Sequence, residues 1–497
     1  MASIAEELKW MFQAGYPLLQ LVTHEEERAL RLLGEVISGL NLAQRTWSAT
    51  ADSETASPAA DAATLLRSLP ARGAGVTVAL DFHPFLGDPL VLRLLRDVLP
   101  LLAKNRHTLL LLSPVLLVPP ELERDLAVLE LALPTREELG QLLLQQYGKD
   151  RSPLTREVAE PMVRAAQGLT EQEASRVFTR ALTRSGGLKL EDVALVIEEK
   201  KSSIRKVEAL EYVELDEHLG HVGGLQEIKR WIQGRSRAFD AEAARYGLPA
   251  PKGLLLIGMQ GCGKSLMAKA VAGSWKLPLL RLDLGSVLGA AAPDATMHRA
   301  LTVVQSLAPV VLWLDEIEKG FAGVASGSAS GSTRVFGSFI TWLQEKRSPV
   351  FVVATANEVT DLPPELLRKG RFDETFFVDL PDVHERKAIL AIHLARRKRQ
   401  AQRFDLEVLA RQSTHCSGAE LEQAVVAGMY RAFGERREVE TQDISKELDA
   451  TVPLYVTCEE KCKALREWAR TRARKASTDQ SLVDLFQAED RGKQPRS

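Results

Sequence analysis

Residues 252–266 read KGLLLIGMQGCGKSL, and the rest of the chain is best understood outward from them. Four aliphatic residues, Leu254 to Ile257, have the character of a buried strand. They break into Gly258-Met259-Gln260-Gly261-Cys262-Gly263-Lys264-Ser265, the G-x-x-x-x-G-K-S spacing of a phosphate-binding loop, and Leu266 opens the helical run LMAKAVAG. Glycines there let the backbone curl so that N–H groups point inward, and a helix starting near Lys264 adds its positive end. Lys264 is placed to reach the β- and γ-phosphates, and the Ser265 hydroxyl to bind Mg²⁺. A plain glycine-rich turn would need neither the lysine nor the hydroxyl in this register. The expected contacts of a nucleoside triphosphate are therefore Gly258, Met259, Gln260, Gly261, Cys262, Gly263, Lys264, Ser265 and Leu266.

With 497 residues the chain has room for two to four domains with cores of their own. Its formal net charge of −2 gives no global attraction to nucleic acid or to an anionic membrane. The four cysteines are too few and too scattered for a disulfide framework. Cys458 and Cys462 lie four apart, but no histidine or second pair completes a zinc site. The N-terminal MASIAEELKW carries acids where a signal peptide needs bases. The longest apolar run, Leu109 to Val118, contains a proline and is about half the length of a membrane span. A cytoplasmic protein is expected, or one of the plastid stroma if the chain is organellar.

In chain order, residues 1–16 suggest a short amphipathic helix closing at Gly15. The strand LLQLV, a helical run from His24, and a short strand ending at Trp47 follow. The Ala, Ser, Asp and Pro of residues 51–75 suggest a long surface loop around one weak helix. Strands are expected at Val76–Leu80, Leu109–Leu112 and near Val128–Leu133, with a helix from Val91 to Ala103. From Pro134 to about Lys200 the pattern is helical. The charged segment Glu199 to Arg205 marks a domain boundary.

The second half repeats this order. LLLI at 254–257 matches LLQLV at 18–22, and VVLWLDEIE at 310–318 matches VTVALDFHP at 76–84. VFVVATANEVTDLPPELL at 350–367 matches LLLLSPVLLVPPELE at 109–123, and FVDLPDVHER at 377–386 matches LELALPTREE at 129–138. SGAELEQAV at 417–425 matches LTEQEASRV at 169–177. Matches in one order imply an internal duplication. Where the second copy has GMQGCGKS the first has THEEERAL, whose Glu25, Glu26 and Glu27 would repel phosphates, so the first copy should not bind a triphosphate in that way.

Downstream of the loop, the aliphatic strand VVLWL ends in Asp315-Glu316. Asp315 is expected to hold Mg²⁺ through its water shell, and Glu316 to orient and deprotonate the attacking water. The strand VFVVATAN brings Asn357 to the same sheet edge, where its amide could hold that water. Arg368 and Arg371, in PPELLRKGRFD, are expected to point away from their own nucleotide and to act in trans, as arginines in phosphoryl transfer can. That reading requires an oligomer; the plainer alternative is pairing with acids such as Asp373. The basic run LARRKRQAQR and the helix CKALREWARTRARKAS suggest solvated surfaces, the latter running into a polar tail.

HVGGLQEIK, GMQGCGKS, LWLDEIEKG, ATANE, LLRKGRFDE and SGAELEQAV, in that order over residues 215–450, resemble the central clade of the AAA (AAA+) P-loop ATPases. The resemblance implies an α/β fold: a P-loop NTPase core with a parallel sheet and a helical lid starting near Asp382, binding ATP, and typically a hexameric ring. It also implies that Val222, Gly223 and Gly224, with Ser417, Gly418 and Ala419, frame the adenine. Over its whole length the chain further resembles a family first described as a hypothetical chloroplast reading frame and also common in bacteria, which joins a degenerate ATPase-like domain to an active one. DEIEKGFAG, TWLQEK, ELLRKGRFDE, ALDFHPFLGDP and SPVLLVPPEL carry that likeness.

Two departures from the clade stand out. Unfoldases carry an aromatic-plus-aliphatic pair in the loop after the second strand, at positions that fall here near Gly289-Ala290, and no aromatic is present in LGSVLGAAAPDATMH. The loop GFAGVASGSASGS (320–332), where a second pore loop would lie, is Gly- and Ser-rich and should not grip. His221 also replaces the acid common before Val-Gly-Gly.

The expected domains are a degenerate, P-loop-less α/β copy (1–133) with a lid-like helical domain (134–204), the AAA+ core (205–381), its helical lid (382–450), and a helical extension with a tail (451–497). The expected function is an ATP-hydrolysing, oligomeric remodeller or chaperone-like motor acting on a protein partner. The rival is a slow nucleotide-dependent switch or scaffold. A nucleic-acid motor is disfavoured, because no aromatic-basic stretch suits stacking on bases.

Overall fold

The computed structural model describes residues 4–50, 58–148, 154–205, 207–215, 217–321, 330–360 and 362–477. The chain divides into two compact units, Met1–Glu199 and Lys200–Ser497.

The first unit holds strands β1 (Leu18–Val22), β2 (Ala43–Trp47), β3 (Gly75–Leu80), β4 (His107–Ser113) and β5 (Ala127–Glu130). All pair in parallel, in the order β2-β3-β4-β1-β5. A parallel sheet is covered on both faces, which is why β4 is a continuous buried aliphatic run rather than an alternating one. Leu109 and Leu111 feed one apolar cluster, and Leu110 and Leu112 the other. The helices Arg136–Tyr147, Arg156–Ala166, Glu171–Ser185 and Val193–Ile204 follow the sheet.

The second unit holds β6 (Leu210–Val213), β7 (Gly253–Gly258), β8 (Leu279–Leu282), β9 (Val310–Leu314), β10 (Val350–Ala356), β11 (Glu374–Val378) and β12 (Arg474–Lys475). Its order is β12-β11-β7-β10-β9-β8-β6. Without the two outer strands this is the order of the first sheet, strand for strand. β7 feeds both faces, Leu255 and Ile257 one cluster, Leu254 and Leu256 the other. Four helices follow where the lid is expected: Val383–Arg396, Leu406–Gln412, Gly418–Gly434 and Thr441–Ala450.

The two copies also start corresponding helices alike. Thr135 with Glu138, and Asp382 with Glu385, form capping boxes on the first helix after the sheet. Thr170 with Glu173, and Ser417 with Glu420, do the same on the third. Each box satisfies N–H groups that a helix start leaves open, so these pairs fix where the helices begin.

Both outer strands of the second sheet differ from the sequence expectation. β6 lies antiparallel to β8 and has no counterpart among the described strands of the first sheet. Of the segment expected as an extension with a polar tail, the part up to Ser477 packs into the second unit, and residues 478–497 lie outside the described residues. On the helix Glu459–Arg472, Cys462, Leu465 and Ala469 join the core around Phe372 and Phe377, and β12 pairs with β11. The helix has one apolar stripe, too short to be told from a surface helix by sequence. Among the described residues no helix is long and apolar enough to cross a membrane.

Candidate active site

β10 lies between β7 and β9. The carboxyl ends of these three strands therefore meet, bringing the loop 259–263, Asp315-Glu316 and Asn357 together. The loop is packed too closely for side chains at its start: a Cβ on Gly258 would sit 1.9 Å from the Val378 carbonyl oxygen of β11. Gly263, at φ 90°, adopts the left-handed conformation from which the helix Lys264–Trp275 starts. Lys264 is buried and folds back on its own loop, its Nζ donating to the carbonyls of Gly258 (2.8 Å) and Met259 (2.7 Å). Burial lowers its pKa to about 8. Burial pushes the Cys262 thiol up to about 12.

A hydrogen-bond chain joins the strand ends. Ser265 Oγ donates to Asp315 Oδ1 (3.0 Å), and Thr355 Oγ1 donates to the same oxygen (2.6 Å) while accepting from the Glu316 N–H (3.0 Å). Asn357 Nδ2 donates to Glu316 Oε1 (2.9 Å), and Lys319 Nζ pairs with Glu316 Oε2 (2.5 Å). Glu316 stands at φ 49°, uncommon for a residue with a side chain and typical of sites where surrounding contacts hold the backbone. Behind it, buried Glu318 accepts the Asn357 main-chain N–H at Oε1 (3.1 Å), while its Oε2 has no hydrogen-bond partner among the described residues. Burial raises its pKa.

The segments named for the adenine also converge. A Cβ on Gly223 would lie 2.4 Å from Ile389 Cγ1 of the lid, and one on Gly224 would lie 2.2 Å from Glu385 Oε1. Val222 is buried. The Ala419 N–H donates to the Gly261 carbonyl (3.0 Å), and a Cβ on Gly261 would meet Ser417 Oγ at 2.9 Å. Gly418 lies against the same carbonyl. His221, which stands where an acid is common, pairs instead with Glu217 (3.0 Å), and Glu217 also binds Arg396 of the lid.

Arg368 and Arg371 do not join this cluster, and neither pairs with Asp373. Asp373 Oδ2 accepts the main-chain N–H groups of Lys252 (2.7 Å) and Gly253 (3.0 Å). Arg371 donates to the Glu365 carbonyl, and Arg368 is exposed. Near Gly289-Ala290 the chain forms the short helix Leu284–Gly289, capped by Asp283. Of the second expected pore loop, residues 322–329 lie outside the described residues.

Sequence reasoning missed Thr355, Glu318, Lys319, Glu385 and Ile389. A threonine inside the aliphatic run VFVVATA and a second acid in DEIE were the available signals for the first two. Nothing local marks the others.

In the first copy, only Thr23, His24 and Glu25 separate β1 from the helix Glu26–Gly39, where Met259–Gly263 separate β7 from its helix. The Glu25 carboxylate is buried. One oxygen accepts the Glu171 N–H at the start of the helix Glu171–Ser185 (2.5 Å), and the other takes the Arg28 guanidinium (2.8 Å).

Comparisons with known proteins agree with this architecture. Residues 4–131 match the SpoVK-like AAA ATPase N-terminal domain, residues 136–207 the SpoVK-like AAA ATPase second domain, and residues 254–380 the AAA family, ATPases associated with various cellular activities. The uncharacterized AAA domain-containing protein ycf46 of Guillardia theta is 37% identical over 486 residues, 94% of this chain and 95% of its own. Its namesake from Pyropia yezoensis is 36% identical over 490 residues, 96% of this chain and 99% of its own. The proteasome-activating nucleotidase of Thermococcus kodakarensis is 34% identical over 269 residues, 50% of this chain and 65% of its own. A phosphate-binding loop, a matching pair of acids and an asparagine on neighbouring strand ends, with such relatives over nearly the full length, leave one assignment: the chain belongs to the AAA ATPase family, in the group that includes the ycf46 proteins.

Proposed function

We propose that this protein hydrolyses ATP as an oligomer, a hexameric ring by analogy with its clade, and uses the cycle to remodel a protein partner. The observation that supports this best is the chain Ser265–Asp315–Thr355–Glu316–Asn357, which ties the phosphate-binding helix to the two strand ends that would face a γ-phosphate. The likeness to a proteasome-activating nucleotidase supports a protein as partner.

The Ser265 hydroxyl and the Asp315 carboxylate are the hard oxygen donors that Mg²⁺ takes, so the residues present fit that ion. When bound, Mg²⁺ would neutralise charge on the β- and γ-phosphates. Lys264 would exchange its two loop carbonyls for phosphate oxygens. Glu316 would take the proton of the attacking water, and Asn357 would orient that water from the adjoining strand. Gly258 to Leu266 would cradle the phosphates, while Val222–Gly224 and Ser417–Ala419 would frame the base. Arg368 and Arg371 of a neighbouring copy would complete the charge stabilisation.

Specific activity measured against protein concentration, with light scattering on the same samples, tests the proposal. A rate that tracks assembly, is lost in Lys264→Ala and collapses in Arg371→Ala is expected. A monomer turning over at constant rate, matched by Arg371→Ala, would overturn the ring. One observation favours the second reading, a slow nucleotide-dependent switch: the helix Leu284–Gly289 and the residues after it carry no aromatic with which to grip a threaded chain. A rate that no protein partner stimulates would support the switch.

A further inference from the structure

We infer that the C-terminal segment Arg474–Ser477 is a positioning element of the adenine site, an inference that rests on the reading of Val222–Gly224 as the base frame. The segment pairs in parallel with the outer edge of β11, Arg474 opposite Phe376 and Lys475 opposite Phe377, and the Ala476 N–H donates to the Phe377 carbonyl (2.9 Å). Ala476 is 1% exposed and belongs to the apolar cluster that also contains Val222, Leu225 and Trp231.

The reason this reaches the nucleotide lies in how the helix Gln226–Gln233 begins. A helix start leaves its first N–H groups open, and a Ser, Thr, Asp or Asn ordinarily caps them. Here the capping position is Leu225, which has no side-chain oxygen and stands at φ 57°. The Ala476 carbonyl does the capping instead, accepting from the N–H groups of Glu227 (3.0 Å) and Ile228 (3.4 Å). Arg474 adds an ion pair with Glu227 (2.7 Å), and its guanidinium lies 5.6 Å from the Phe376 ring.

Ser477 completes the connection to the lid. Its Oγ donates to Glu385 Oε1 (2.5 Å), the same oxygen that accepts the Leu225 N–H (3.0 Å) and against which Gly224 packs. Glu385 belongs to the first turn of the lid helix Val383–Arg396. The segment therefore holds the C-terminal end of the loop 222–225 twice, through the helix start and through the lid carboxylate. Residues 259–265 and the strand-end acids share none of these bonds, so the segment acts on the base rather than on the phosphates.

The test uses the full chain and two probes, ATP and inorganic tripolyphosphate, the latter having the phosphates without the base. Detachment is produced by Arg474→Glu with Ala476→Asp, which sets like charge against Glu227 and a carboxylate in the apolar cluster. Ser477→Ala removes the lid contact alone, and Ser477→Thr restores a hydroxyl. The detached variant should bind ATP about tenfold more weakly, the scale of one lost helix cap, with tripolyphosphate affinity unchanged. Ser477→Ala should shift in the same direction by less, and Ser477→Thr should recover the loss. Equal weakening for both probes would mean a general loss of structure and would overturn the positioning role, as would unchanged ATP affinity in the detached variant. If the wild-type chain gains nothing from the base, binding ATP no better than tripolyphosphate, the adenine-frame reading itself fails.

Discussion

Asn357 and Glu316, on the ends of neighbouring strands, are hydrogen-bonded to each other over 2.9 Å, and Lys319 holds the other oxygen of the same carboxylate. A general base needs a lone pair free for the proton it takes. A carboxylate has about four acceptor sites, so each oxygen keeps one open, and the two donors act by fixing the orientation of the residue proposed as general base. Pairing with Glu316 raises the Lys319 pKa, so the ammonium stays charged through the neutral range.

Lys319→Ala should therefore lower basal ATP turnover by about two- to fivefold, the modest effect expected of an exposed ion pair. Glu316→Gln should lower turnover by about 10²- to 10⁴-fold, the range for losing a general base. Steady-state kcat of the two variants and of the double variant checks this. A Lys319→Ala rate at or above wild type means that the lysine does not orient the base.

Lys264 makes a prediction about stability. Burial lowers its pKa from 10.5 to about 8. A lysine whose pKa falls on folding opposes folding wherever the unfolded chain holds the proton. The cost is full below pH 8, shrinks between 8 and 10.5, and is absent above. Lys264→Met, of similar length, should thus stabilise the nucleotide-free second unit by up to about 3 kcal/mol at neutral pH and abolish nucleotide binding. Thermal melts from pH 7 to pH 10.5 should show the two curves converging as pH rises.

Among the described residues Arg368 and Arg371 make no hydrogen bond to Glu316 or Asn357, which sets up a complementation experiment for the proposed trans role. Glu316→Gln has a dead site but intact arginines, and Arg371→Ala the reverse. Each alone should be nearly inactive. Mixed and co-assembled, they should regain part of the wild-type rate, because some Arg371→Ala sites then face a Glu316→Gln neighbour. A mixture no more active than its components would remove the trans role.

In the first copy, Glu25 puts the protein's own carboxylate at the start of the helix Glu171–Ser185, held there by Arg28. Hydrogen bonds to a charged group contribute about 1.5–3 kcal/mol, so Glu25→Ala should lower the stability of this unit by about that amount. Glu25→Gln, which keeps the shape but not the charge, should fall between. Chemical denaturation checks this, and calorimetric titration should find one ATP site per chain, lost in Lys264→Ala. A second site would mean that the first copy binds nucleotide after all.

The sequence alone carried the proposed chemistry of the second unit. A phosphate-binding loop is a contiguous pattern, and Asp315, Glu316 and Asn357 each end an aliphatic run that shows itself as a buried strand. The duplication was legible because the order of the strands survives even where their chemistry does not, with Glu25 in a shortened loop. Folding in three dimensions settled what depends on distant pairing. Only the placement of β10 between β7 and β9 brings Thr355 to Asp315 and Asn357 to Glu316. Likewise the two-residue strand Arg474–Lys475 and the capping carbonyl of Ala476 have no periodicity to read, since their partners are main-chain groups that every residue possesses. What gives them a role is the edge of β11 and an uncapped helix start, which come beside them only once the sheet has formed.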